Sequence, residues 1–244
     1  RFVAGLVMCF VCVSLAGRVA ATVVYGDTEF APGDWTEQVF YTSGNGGTGS
    51  AIQLLGGGNP GACRRVTHNI GGRPAQVALA HEFTGATYDP QSQGAINEIG
   101  FSFDARTFSD PGYLGQSASL TIRQSGVVYC GPFFNNGTGV WVNTTHSGLV
   151  ASNFTPFDGT LVHPDFSSSG GMIQFGFVSS NTNPVNGFVG ATSTAVEYDN
   201  WSVTIDQVPT GIADGSTPRV LPHAAMPNPF EHDTQILFTL EEVA

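Results

Sequence analysis

No stretch of this chain spaces its apolar residues at a helical period. Instead, about ten short segments alternate apolar with polar residues or run apolar, each closed by a cluster of Gly, Asn, Ser or Pro. Glu37–Thr42, Ser50–Leu55, Gln76–Phe83, Ile96–Ala105, Ala118–Gln124 and Met172–Ser179 are such segments. GNGGTG (Gly44–Gly49), GGGNPG (Gly56–Gly61) and NNGTG (Asn135–Gly139) lie between them. Glycine and Asn supply the positive φ that tight turns demand, and Pro presets the entry angle. The rhythm predicts an all-β chain, a two-sheet antiparallel β-sandwich of jelly-roll type. Val196–Asp206 (VEYDNWSVTID) is predicted as its last strand, with Asp199, Trp201, Val203 and Ile205 on one side. Val23–Trp35 opens the domain. First and last strands lying side by side would seat Trp35 and Trp201 in the core and bring Asp27, Glu29 and Asp199 into one neighbourhood.

The strand pattern occupies residues 22–206 of the 244, enough for one sizeable core. Residues 1–21 read as a secretory signal peptide: an arginine, an apolar run from Phe2 to Leu15, and small residues before a cut at Ala21/Thr22. The run is too short to favour a membrane anchor, so the mature chain is expected to hold no stable membrane span. Residues 207–219 read as a linker. Residues 220–244 are too short to fold alone and read as the start of a further, truncated domain, in a sequence expected to be incomplete at both ends. Cys9 and Cys12 fall in the leader. Cys63 and Cys130 remain, in an oxidising compartment if the chain is exported, either as one disulfide or as two separate thiols.

Eight arginines and no lysines face nineteen acids, a formal charge of −11. No basic patch is present to pair with phosphates, which argues against nucleic acid as a partner and leaves neutral glycans and divalent cations compatible.

Two resemblances follow. Leu221, Pro227, Asn228, Pro229, Phe230, Thr234, Ile236, Phe238 and Leu240 resemble the opening of the immunoglobulin-like sorting domain of type IX secretion cargo and of hook-capping proteins. This implies export by a secretion machinery to a bacterial cell surface or beyond. Asp27, Phe30, Gly33 and Trp35, with Tyr198-Asp199-Asn200-Trp201, resemble the ends of concanavalin-like or galactose-binding-like jelly rolls of secreted bacterial proteins. In similar carbohydrate-binding modules a start motif and a late Asp hold a structural calcium. Calcium prefers six to eight oxygens, which Asp27, Glu29, Asp199 and turn carbonyls would supply; ordinary surface and turn roles for the three are the alternative.

Catalysis has weaker support. Retaining and inverting glycosidases need two carboxyls about 5–5.5 or 6.5–9.5 Å apart, whereas Glu98 and Asp104 on one strand would stand roughly 20 Å apart. His68, His81, His146 and His163 come with no G-x-S-x-G elbow and no HExxH. Sugar binding needs exposed aromatic platforms beside amides, and Trp141, Tyr113, Tyr129, Phe133 and Phe134 are the candidates, with Asn135 beside them; Trp141 packed beneath a neighbouring loop such as Phe154–Phe157 is the alternative. The reading is a secreted or cell-surface, non-catalytic β-sandwich module whose partner is a glycan or another surface component. A structural or adhesive module without a small ligand and a divergent glycoside hydrolase are the alternatives.

Overall fold

The computed structural model describes residues 21–109, 115–135 and 139–209, and short strands between residues 220 and 240. The expected leader up to residue 20, the expected linker beyond residue 209, and Tyr113 lie outside the described residues. Ala21–Val208 forms one compact unit. Its strands, in chain order, are β1 (Thr22–Asp27), β2 (Trp35–Gly44), β3 (Gly47–Gly58), β4 (Gly61–Ile70), β5 (Ala75–Tyr88), β6 (Ile96–Ser109) and β7 (Gly115–Gln124). There follow β8 (Val127–Cys130), β9 (Phe134–Asn135), β10 (Val142–Leu149), β11 (Thr155–Pro156), β12 (Ile173–Asn183) and β13 (Thr192–Gln207). They make two antiparallel sheets. Sheet I runs β10-β6-β13-β4-β3, with β1 also on β13; sheet II runs β11-β8-β7-β12-β5-β2, with β9 also on β7. The fold is an all-β sandwich.

Local chemistry sets the turns. Ser125 and Gly126 both have positive φ, 52° and 83°, which closes the β7–β8 hairpin in two residues and matches the twist of its strands. Between the sheets the alternating apolar positions interlock. Trp35 meets Trp201 edge-on at 5.2 Å and Phe83 in a stack at 5.2 Å, and Phe177 lies 4.7 Å from Tyr198. β1 pairs antiparallel with β13 from Thr22↔Asp206 to Asp27↔Trp201, so the ends of the domain do close on each other.

One detail of that seam departs from the sequence pattern. Trp201, Val203 and Ile205 face the core as expected, but so does Tyr198. Asn200 adopts φ 50°, and the register with β6 slips between Asp199 and Ser202. This bulge adds one residue and moves Asp199 to the opposite, outer face. Ile205→Val is therefore expected to cost 0.5–1.5 kcal/mol (roughly), and Ser202→Ala on the other face less than about 0.5 kcal/mol. Urea unfolding of both variants checks the assignment; equal losses would contradict it.

The core also holds polar groups. His68, His81 and Arg64 are buried between the sheets. The Arg64 guanidinium lies 5.8 Å from the Trp35 ring centre, with Nη2 3.1 Å from Glu37 and Nε donating to His81 Nδ1 at 3.3 Å.

In the separate C-terminal unit, β14 (Val220–Pro222) pairs with β17 (Phe238–Leu240), and β15 (Met226–Pro227) with β16 (Thr234–Gln235). No helix among the described residues is long and apolar enough to cross a membrane.

Candidate functional site

Each sheet has an outer face, and the two differ in chemistry. On sheet I, Ile52, Arg65, Glu197 and Arg106 stand in register across β3, β4, β13 and β6. Glu197 has no exposed side-chain surface and accepts from both guanidiniums, each at 2.5 Å. Arg106 also donates to the Gly57 carbonyl at 2.8 Å and lies 4.6 Å over the Trp141 ring. One face of Trp141 is therefore occupied by an arginine rather than open as a platform.

Two residues along β13, Asp199 is the register partner of Asp104. Asn59 bridges the pair: its backbone N–H donates to Asp199 and its side chain to Asp104 Oδ2 at 3.0 Å. Asn143 and Asn200 each donate to Asp104 at 2.7 Å. Burial pushes the Asp199 carboxyl above its ordinary value, with Asp104 adding to the effect and the Asn59 and Asn200 backbone N–H groups opposing it. The two carboxyls are close neighbours, a pairing that sequence reasoning missed. They are buried at 0% and 5% exposure, and Asn59 of the β3–β4 turn holds both.

The residues expected to bind calcium reach one region without converging as ligands. Asp27 accepts from the Glu29 and Phe30 amides at 2.8 and 3.1 Å and from Trp35 Nε1 at 2.6 Å. Asp199 is held by the Asn59 and Asn200 amides. Both carboxylates thus cap backbone, and no group of three acidic, His or Cys side chains suited to a metal occurs among the described residues. Cys63 and Cys130 are not joined either. Both are free and buried, Cys63 beside Glu197 and Asp199 on the outside of sheet I, Cys130 with Ala78 and Val178 on the outside of sheet II. A disulfide needs Cα atoms within about 7 Å, and packed sheets alone lie about 10 Å apart. Burial pushes the thiols up to about 11 and about 12, so both stay protonated.

The outer face of sheet II carries an aromatic groove. Ala78, Val178 and Cys130 make a small apolar floor, against which Phe40, Tyr41 and Phe157 pack. Phe40 and Tyr41 are consecutive, yet both reach it because the β2–β5 register slips between Val39 and Tyr41. Phe157 arrives on a tight turn: Gly159, at φ 81°, donates to the Pro156 carbonyl at 3.0 Å, and β11 ties Pro156 to Tyr129 on β8. The Phe157 ring lies 4.6 Å from Tyr41, 5.5 Å from Phe40 and 5.6 Å from Phe133, a residue 43% exposed.

Two pockets flank this ring and share Tyr41, Pro156 and Phe157. One, of about 400 Å³, is walled by Phe133 and carries Gln76, Ser117, Asn153 and Ser180. The other, of about 390 Å³, carries Gln38, Arg123 and Asp158. Ser117 and Arg123 lie six residues apart on β7, so the two pockets span roughly 20 Å along the strand. Arg123 Nε pairs with Glu82, and Nη2 donates to Gln38 Oε1 at 3.3 Å. Hydrogen bonds from the Thr160 amide and hydroxyl hold the Asp158 carboxyl below its usual range.

Of the residues expected to bind a ligand, Asn135 is exposed and pairs with Ser117 beside this groove, whereas Tyr129 points into the core at 8% exposure. Trp141, just before β10, lies against Arg106 of the other sheet. Tyr41 and Phe157 escaped the sequence reading. The local cue for Phe157 is the turn TPFDG, which lifts an aromatic residue out of the strand pattern.

No protein-family model matches the sequence, and no curated protein matches it. Among solved structures it is similar to a family 11 carbohydrate-binding module from Clostridium thermocellum in complex with a β-1,3-1,4-mixed-linked tetrasaccharide. The identity is 12% over 76% of this chain and 96% of that one, with a TM-score of 0.43. The CBM22-1 xylan-binding domain from Paenibacillus barcinonensis gives 9%, 79%, 99% and 0.39 in the same order. The K1 cleaved adhesin domain of Lys-gingipain from Porphyromonas gingivalis gives 13%, 77%, 99% and 0.35. The sandwich assignment rests on the strand pairings described above, not on these distant likenesses.

Proposed function

We propose that the groove on sheet II binds carbohydrate and that this domain is a glycan-binding module. The observation that carries the reading is the pair of adjoining pockets around Phe157, which set aromatic rings beside amides and hydroxyls on a rigid sheet. A pyranose ring presents apolar C–H faces and a rim of hydroxyls. Phe133, Tyr41 and Phe157 suit the first, and Gln76, Ser117 and Ser180 suit the second. The leader-like N-terminus and the PNPF-containing tail support a module carried outside the cell, where such polymers are met.

Phe157→Ala and Tyr41→Ala are each expected to weaken binding of soluble neutral polysaccharides in affinity gels about tenfold or more, equivalent to about 1.4 kcal/mol. Trp141→Ala, against the opposite sheet, is expected to leave retardation unchanged. A loss in Trp141→Ala with none in Phe157→Ala would move the site to sheet I.

A further inference from the structure

We propose that the Glu82–Arg123 pair is a charge filter that restricts the groove to uncharged glycan chains, an inference that rests on the glycan-binding reading. Arg123 is the one guanidinium lining the two pockets among the described residues. It is the natural contact for a sugar carboxylate, because a guanidinium offers a fork of donors matched to two oxygens. Here two of its three nitrogens are already engaged and its charge is paired. Nε is held by Glu82 and Nη2 by Gln38, with side-chain exposures of 29% for Arg123 and 18% for Glu82.

The geometry keeps the pair closed. Glu82 faces Gly176 of β12 in register, and Arg123 faces the neighbouring Gln174. Glycine at 176 places no side chain between them, so the ion pair lies flat across β12. A Cβ there would stand 1.9 Å from the His81 carbonyl, so Gly176 cannot readily be replaced.

Among the described residues the other charge lining the groove is Asp158, exposed at its rim. The lining thus holds one cation, Arg123, and one anion, Asp158, with Glu82 behind Arg123 as a second anion, within a chain of formal charge −11. A uronate entering the groove would meet an Arg123 charge already neutralised by Glu82. It would approach the Glu82 and Asp158 carboxylates with no unpaired cation among the described lining residues to offset them. A hydroxyl-rich neutral chain needs no such cation. The opposite pocket offers amides and hydroxyls, which donate and accept in equal measure and suit hydroxyls better than carboxylates.

The test uses the full chain in affinity gels containing either neutral soluble polysaccharides (mixed-linkage β-glucan, soluble xylan, galactomannan) or uronate polymers (polygalacturonate, alginate). Wild type is expected to be retarded by at least one neutral polymer and by neither uronate. Glu82→Gln frees the guanidinium and is expected to gain uronate binding by about tenfold or more, with the gain weakened by salt. The gain should vanish in Glu82→Gln/Arg123→Gln and in Glu82→Gln/Phe157→Ala, which places it at this groove. Far-ultraviolet circular dichroism and a cooperative melt establish that each variant folds; Glu82→Ala serves in place of a Glu82→Gln that does not. Uronate binding by wild type as strong as neutral binding overturns the filter and leaves the glycan reading standing. A folded Glu82 variant that gains no uronate binding also overturns it. Absence of retardation by every polymer, in every variant, overturns the groove reading and the filter with it.

Discussion

Lowering the pH from 7 to 5 is expected to remove about 2 kcal/mol of unfolding free energy from the Ala21–Val208 unit through the buried His68 imidazole, with a further loss of the same sign through His81. His68 is fully buried, with Nε2 3.2 Å from the Ser179 carbonyl, and burial holds it down to about 4. His81 stacks on Phe177 at 4.6 Å and accepts at Nδ1 from Arg64. Burial, then the Arg64 and His68 charges, hold it well below the usual imidazole range. The sign follows from where protons bind. Between pH 6.5 and about 4 the unfolded chain takes up a proton on His68 and the folded chain does not, and His81 acts in the same sense, so stability falls as pH falls. The contribution is complete above about pH 6.5 and, for His68, is lost by the time pH passes through about 4. At pH 5 the gap of about 1.5 units corresponds to about 2 kcal/mol for His68. Asp199 works the other way, since a carboxyl raised in the folded state gains relative stability in acid. His68→Gln keeps a donor near the Ser179 carbonyl and removes one titrating ring. Its stability is expected to fall about 2 kcal/mol less than wild type between pH 7 and 5, measured by urea unfolding at each pH. Parallel losses in the two proteins would show that His68 is not held neutral by the fold.

How much of this molecule could be read from its residues depends on distance along the chain. The sandwich and its closing seam were legible because each strand announces itself locally, by alternation or by Gly and Asn at its ends. Trp35, Trp201, Val203 and Ile205 are where alternation puts them. Asp199 is not, because one residue at positive φ shifted the count, and period-two reasoning cannot see a bulge. The same blindness hid Phe40 and Tyr41, neighbours that strict alternation sends to opposite faces. The groove draws on β2, β7, β12 and the 154–159 segment, which only the strand order brings together. Cys63 and Cys130 illustrate the converse: two cysteines in one chain invite a bridge, and only the topology shows that the core lies between them.

Replacing Glu197 with Gln is expected to destabilise the domain by roughly 3–5 kcal/mol, because it leaves two partly buried guanidiniums without the anion between them. The side chain keeps its size and the sheet its backbone, so packing contributes little to the loss. Arg65 and Arg106 are only 28% and 24% exposed and cannot both turn to water without leaving the ladder. Arg106 also holds the Gly57 carbonyl and covers Trp141. Loss of its anchor should therefore loosen the β3–β4 turn that Asn59 pins to Asp104 and Asp199. Thermal and urea unfolding give the total, and the cycle with Arg65→Gln gives the share that is charge pairing. If the charge is what matters, Arg65→Gln should cost less in the Glu197→Gln background than in wild type. Hydrogen exchange adds a local readout, with amides of residues 56–60 expected to lose protection in Glu197→Gln before those of β12. A loss below about 1 kcal/mol, with unchanged exchange at those amides, would reduce this triad to a surface ion pair of the ordinary weak kind.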